Sequence, residues 1–261
     1  MSDQQPDREE HREERLAAEA EAEAADRRQR LLQLSVGGVF LAIIIVVVVI
    51  IVAGSGGDSS SGSGGKASEV AETAHVEKLL AGIPQSGTRL GKPGAPVKLF
   101  EYGDLQCPFC KANAEEITPE IIENQIRDGE ASLTFRNFII IGPQSVPAGE
   151  AALAAGAQDK GWNFIELFYR NQGEENSGYV TEKFIESIGK AAGIPDLEKW
   201  NKERKSGKYK KQLEETSKQA ENLGFEGTPS FAVEGPGSKG LELIGTPEST
   251  EQLEEAIKTA S

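Results

Sequence analysis

Metal-binding side chains are scarce in this chain: of its 261 residues, two are cysteine and two are histidine, His11 and His75. A structural zinc site takes four Cys or His ligands, and an iron–sulfur cluster takes about four thiolates. Neither fits this supply. A c-type haem attachment needs His directly after a C-x-x-C pair, where this chain has Lys111. Positive charge is also short. The 28 Lys and Arg are outnumbered by 42 Asp and Glu, giving a net charge of −14. No basic patch interleaved with aromatics is present, so no nucleic-acid partner is expected. The 29 glycines are scattered and build no convincing phosphate loop, and no internal repeat occurs. No metal and no cofactor is therefore expected.

One long apolar run is present. Val36 to Ala53 is 18 residues without a polar interruption, and extending it back to Leu31 adds only Gln33 and Ser35. About 20 helical residues cross a hydrocarbon core of about 30 Å, and this run shows no polar face that would mark a core helix. Arg27, Arg28 and Arg30 precede it, and no cation follows until Lys66. The positive-inside rule then puts the N-terminus in the cytoplasm and the bulk of the chain outside. A cleaved signal peptide is the competing reading. Its apolar region is shorter, about 7–15 residues, and it ends in a small-residue cleavage motif for which Ala53-Gly54-Ser55 is a weak match. The expected organisation is a charged cytoplasmic tail over 1–33, a transmembrane helix over 34–53, a Gly/Ser-rich linker with a short helix over 54–82, and one extracytoplasmic domain over 83–261. The tail is a Glu/Ala/Arg mixture read as solvated. The Gly/Ser stretch 54–66 within that linker has an r.m.s. span of roughly 20 Å.

Both cysteines stand together, as Cys107-Pro108-Phe109-Cys110. The run before them, Val97 to Tyr102, reads as a buried strand, and the run from Lys111 to about Arg127 reads as a helix. A C-x-x-C at a strand-to-helix junction is a thiol–disulfide exchange signature. The blander alternative is a structural bridge, but so short a loop stabilises by only roughly 2 kcal/mol against about 4.7 for a 100-residue loop. An extracytoplasmic setting suits either, because disulfides persist there.

Further elements are predicted on both sides. A short helix covers 69–81 and an edge strand lies at 88–91. A strand over 132–138 continues into Ile139-Ile140-Ile141. Five helices follow at 148–158, 161–172, 181–192, 196–205 and 208–223, then strands at 230–233 and 241–244 and a last helix from Pro247 to about Thr259. This order describes an α/β thioredoxin fold with an inserted helical subdomain at about 145–224, preceded by one transmembrane helix. Trp162, Phe164, Phe168 and Tyr169 read as core of that insertion. The charged runs 202–205 and 208–211 read as solvated helix faces.

With these elements in place, the chain resembles the DsbA-like thiol–disulfide oxidoreductases, particularly their membrane-anchored bacterial members. The resemblance rests on Leu99-Phe100-Glu101-Tyr102-Gly103-Asp104-Leu105-Gln106 before the C-P-F-C motif, on Ala151 to Gln158 and Phe164 to Gln172, and on Gly227-Thr228-Pro229-Ser230 about 120 residues after the cysteines. It covers roughly residues 83–258 and omits the tail, span and linker.

The resemblance implies a role for each residue. Cys107 is the nucleophile, at a helix start whose free N–H groups and dipole favour a thiolate. Cys110, one turn further in, resolves the mixed disulfide. Pro108 stiffens the first turn. Glu101 is a buried acid exchanging a proton with Cys110, the alternative being a surface carboxylate on the strand. Pro229 is expected to be cis, with Thr228 offering its backbone to an extended client peptide. Phe109 replaces the His of the most oxidising members, so a milder oxidant is expected, between about −120 and about −230 mV. The implied partners are reduced or misoxidised extracytoplasmic proteins and a membrane redox protein that recycles the pair, with the lipid bilayer engaged by one helix. Oxidative folding is the expected direction. The alternatives are a reductase or isomerase of extracytoplasmic disulfides, or a peptide-binding module without turnover.

Overall fold

The computed structural model of the chain describes residues 70–261. The expected tail, transmembrane helix and most of the linker lie outside the described residues, among which no helix is long and apolar enough to cross a membrane. The chain opens with α1 (Thr73–Leu80), β1 (Gln85–Ser86) and β2 (Arg89–Leu90), followed by β3 (Val97–Gly103) and α2 (Pro108–Glu116). Next come α3 (Thr118–Ile121), a π-helical turn (Ile122–Ile126) and β4 (Ala131–Asn137). Helices α4 (Ser145–Gly156), α5 (Gly161–Arg170), α6 (Glu182–Ala191), α7 (Leu197–Arg204) and α8 (Lys210–Asn222) form the insertion. β5 (Ser230–Glu234), β6 (Glu242–Gly245) and α9 (Thr250–Ala260) complete the domain.

The six strands form one mixed sheet in the order β1-β2-β4-β3-β5-β6, with β3 central. β3 is parallel to β4, pairing Leu99 with Leu133 and Glu101 with Phe135. It is antiparallel to β5, pairing Glu101 with Phe231 and Tyr102 with Ser230. This topology places the site. Because β5 runs against β3, the residues that lead into β5 land at the end of β3 from which the redox loop departs. Thr228-Pro229 therefore meets Cys107 across 121 positions of sequence.

Two predicted elements end differently. The helix starts at Pro108, as a first-turn proline implies, but instead of running on to about Arg127 it breaks at Ile117. Pro119 lies two residues beyond the break and has no N–H, and its ring excludes the carbonyl four residues back. Asn113 Nδ2 donates to Thr118 Oγ1 across the break at 2.6 Å. The strand expected to continue through Ile139-Ile140-Ile141 stops at Asn137. Its neighbour β3 has already turned away at Gly103, so no ladder remains; the N–H groups of Ile140 and Ile141 donate instead to Asp104 Oδ2, each at 2.9 Å.

The insertion packs as its sequence pattern predicts. Trp162, Phe164, Phe168 and Tyr169 are buried together with Trp200. Thr181 caps α6 by accepting from the Phe184 N–H, and Asp196 caps α7 by accepting from the Lys199 N–H. The subdomain is locked to the β1–β2 hairpin where Gly156 and Gly161 abut Gly87; a Cβ at Gly156 would lie 2.7 Å from the Gly87 carbonyl carbon. Trp162 Nε1 donates to the Thr88 carbonyl at 2.8 Å beside this contact. The solvated reading of 202–205 fails at Arg204, which is 3 % exposed. Its guanidinium stacks 4.8 Å from the Trp200 ring centroid and bonds Glu182 at 2.8 Å. A surface-like charge pattern concealed a cation over an aromatic.

Candidate active site

Cys107 caps the N-terminus of α2 in an extended conformation, followed by Pro108 in the first turn where no N–H is required. Its N–H donates to the Asp104 carbonyl at 3.0 Å, which tightens the loop that leaves β3. Its thiol donates to the Thr228 carbonyl at 3.2 Å. Both cysteines are free in this structure, Cys107 with 3 % and Cys110 with 0 % of their surface exposed. The expected cis bond is present between Thr228 and Pro229.

The two sulfurs are electrostatically unequal. A hydrogen bond from the Cys110 thiol lowers the Cys107 pKa to about 6 against the opposing effect of burial, helped by the Thr228 side chain and by the N–H groups of Cys110 and Phe109. Burial, followed by donation to Cys107, pushes Cys110 well above the ordinary thiol range. Near neutral pH this difference favours the thiolate on Cys107 and the proton on Cys110. That division makes Cys107 both the better attacking and the better leaving sulfur.

Phe109 is 71 % exposed and reaches Cys107 through its main-chain N–H. A histidine side chain there would add a cation or donor near the thiolate. Phe109→His is expected to raise the reduction potential, read by equilibration against glutathione; an unchanged or lower potential would refute this account of the dipeptide.

Glu101 does not sit on an outer strand face. It is 2 % exposed, and burial, then the nearby Glu166, raises its pKa to about 8. A carboxyl that is neutral when folded, with its pKa raised from 4.5, stabilises fully below about pH 4.5 and loses that contribution as pH rises through about 8. Glu101→Gln stays neutral throughout. It should match the wild type near pH 4.5 and exceed it at pH 8 by on the order of a few kcal/mol in urea unfolding of the reduced protein. Parallel stability–pH curves would show that the carboxyl is not held neutral.

Several neighbours carry no sequence motif of their own. Asp104 is fully buried: Oδ1 accepts from the Gln106 N–H at 2.9 Å, and Oδ2 takes the two donors of the 139–141 loop. Its carbonyl also accepts from the Tyr169 hydroxyl at 3.3 Å. Gln172 Nε2 donates to the Leu105 carbonyl at 2.8 Å and the Cys107 carbonyl at 3.1 Å, holding the loop from the far side. Glu166 and Arg170 form a buried pair at 3.2 Å. In the sequence Glu166 falls in the Phe164–Gln172 stretch that carries the resemblance, as a carboxylate within the otherwise apolar run Phe164 to Phe168.

A central sheet, a C-x-x-C pair at a helix tip and a proline loop facing it define a thiol–disulfide oxidoreductase of thioredoxin fold. The family model described as Thioredoxin matches residues 85–259, and the chain belongs to that family, within its DsbA-like branch. It is 35 % identical over 150 residues to a probable disulfide bond formation protein D of Bacillus cereus, covering 56 % of this chain and 69 % of that relative. A thioredoxin-like oxidoreductase from Silicibacter pomeroyi superposes with a TM-score of 0.54 at 26 % identity, covering 70 % of this chain and 96 % of that one. Oxidised BdbD from Bacillus subtilis shares the fold with a TM-score of 0.59 at 24 % identity, covering 68 % of this chain and 97 % of that one.

Proposed function

We propose that this protein is a membrane-anchored oxidase of extracytoplasmic thiols, working through Cys107 and Cys110. The observation that carries the reading is the Cys107 sulfur held at the α2 N-terminus beside the cis Thr228–Pro229 bond, where the Cys110 thiol and the N–H groups of Cys110 and Phe109 help lower its pKa to about 6. Stabilising the thiolate favours the reduced pair, so the Cys107–Cys110 disulfide is a ready acceptor of electrons. A client thiolate attacks Cys107 Sγ, and the sulfur–sulfur bond breaks with Cys110 Sγ leaving as a thiolate. Glu101 delivers a proton to Cys110. The client's second thiolate then attacks the client sulfur of the mixed disulfide, and Cys107 leaves as a thiolate. The client has lost two electrons and the cysteine pair has gained them.

Thr228 and Pro229 provide the peptide-binding edge in this reading. Backbone pairing there is indifferent to side chain, which suits many unfolded clients. The reduced pair is returned to the disulfide by a membrane redox partner, which we place as quinone-linked. The 18-residue apolar run with its arginine-rich leading flank supports anchoring with the domain outside the cell membrane.

Thiol trapping in intact cells tests direction and compartment together. The pair should be found mostly as disulfide, and should alkylate with a membrane-impermeant maleimide after external reduction. A pair found mostly as dithiol would favour the reductive alternative. Failure to label from outside would overturn the topology.

A further inference from the structure

The packing of α5 on the sheet places a second carboxyl behind the redox pair. A Cβ on Gly103 would lie 3.0 Å from the Tyr169 hydroxyl, so Tyr169 covers the face of β3 that carries Gly103 and, two residues earlier, Glu101. Phe135, paired with Glu101 across the ladder, has its ring 6.3 Å from that of Tyr169. Glu166 lies three positions before Tyr169, on the same side of α5, and close enough for its charge to act on Glu101. It is fully buried, and Arg170 grips its Oε2 at 3.2 Å. The same Arg170 nitrogen donates to the Ala114 carbonyl at 3.3 Å, one turn beyond Cys110 on the buried side of α2. Glu101 Oε1 and Glu166 Oε1 are both buried and have no hydrogen-bond partner among the described residues.

We propose that Glu166, clamped by Arg170, is a positioning residue for the proton that Cys110 takes up, holding that proton on Glu101. The inference deepens the disulfide-exchange reading and rests on it. When Cys110 Sγ leaves with its electron pair, the Glu101 proton moves to sulfur and Glu101 becomes a carboxylate. The client's second thiol releases a proton as it attacks, and Glu101 regains one by way of solvent. A charged Glu166 opposes the carboxylate form of Glu101 and so keeps the store filled at neutral pH. Arg170 is what lets Glu166 carry that charge. Burial raises Glu166 to about 7 even against Arg170, so the two acids titrate as a pair rather than singly.

Other charges near the pair are few. α2 and its N-cap contribute Cys107, Cys110 and Glu115, the last raising Glu166, and Asp104 and Tyr169 belong to the same cluster. β2 turns Arg89 to the opposite face of the sheet from Leu90 and Leu133. α1 buries only apolar residues. On α4, Glu150 lies near Lys210 and Arg204, and the α6 acids Glu182 and Glu186 are engaged by Arg204.

The test is a pH titration of the full-length protein, reduced and labelled with carbon-13 at glutamate carboxyls, beside disulfide transfer to a synthetic two-cysteine peptide. In the wild type, Glu101 and Glu166 should each show two inflections. In Glu166→Gln, Glu101 should show one, moved down by about one pH unit. Transfer by that variant should fall about fivefold at pH 8 and change little at pH 6, because fewer Glu101 carboxyls then hold a proton. An unmoved Glu101 inflection with an unmoved alkaline limb overturns the proposal. If Glu166→Gln does not fold, the wild-type titration decides: a single inflection at each carboxyl overturns it. A wild type with coupled carboxyls but no transfer to the peptide overturns the exchange reading instead.

Discussion

Cys107→Ser is expected to reduce disulfide transfer to the uncatalysed background while leaving the domain folded. A serine hydroxyl is not ionised near neutrality and cannot form a disulfide, so neither attack nor the mixed intermediate survives. The fold should tolerate the change, because the hydroxyl can still donate to the Thr228 carbonyl that the thiol reaches at 3.2 Å. Cys110→Ser differs in kind. It retains the reactive sulfur and loses the resolving one, so a covalent adduct with a client should accumulate at Cys107. Non-reducing gels of each variant incubated with the two-cysteine peptide as a disulfide separate the cases. Undiminished turnover by Cys107→Ser would remove the nucleophile assignment. Peptide affinity that is unaltered in a chain lacking turnover from the start would favour a binding module.

Replacing Asp104 by alanine should be the most destabilising single change at the site outside the large aromatics. Three backbone donors, from Gln106, Ile140 and Ile141, lose their acceptor at a position with no exposure. A buried donor left unsatisfied costs about 1–3 kcal/mol, so a loss of at least about 3 kcal/mol is expected in urea unfolding. Asparagine keeps one acceptor oxygen and should fall between. The functional consequence follows from the same contacts. Asp104 joins the loop before Cys107 to the loop after β4, and its carbonyl accepts the Cys107 N–H at 3.0 Å. Loosening it should also raise the Cys107 pKa, because the thiolate depends on donors held in place by the α2 N-terminus; iodoacetamide reactivity against pH would read the shift. A change below 1 kcal/mol would mean that water replaces the carboxyl without cost.

Local chemistry made much of this legible beforehand. Two cysteines three positions apart after an apolar strand and before a helix are enough to nominate Cys107 and Cys110, since the spacing itself brings the sulfurs to one helix face. Pro108 at the first turn follows from its missing N–H. The insertion helices were readable because each carries its own 3.6-residue apolar pattern and its own stop. The elements that departed from expectation are those whose limits are set by a neighbour. β4 ends at Asn137 because β3 ends beside it, and no property of Ile139-Ile140-Ile141 announces that. Arg204 sits in a charged run yet is buried, because Trp200 and Glu182 reach it from above and from another helix.

Sequence alone nominated the candidate reactive pair, most of the strands and helices, and the apolar run that sets the candidate anchor, because each depends on neighbours within a few residues. Tertiary structure decided which sulfur has the lowered pKa, that Glu101 faces inward, and that Glu166 is buried near it. Those properties arise from desolvation and from charges and dipoles brought together across the sheet, and a linear pattern does not encode the distance between β3, α5 and the loop before β5.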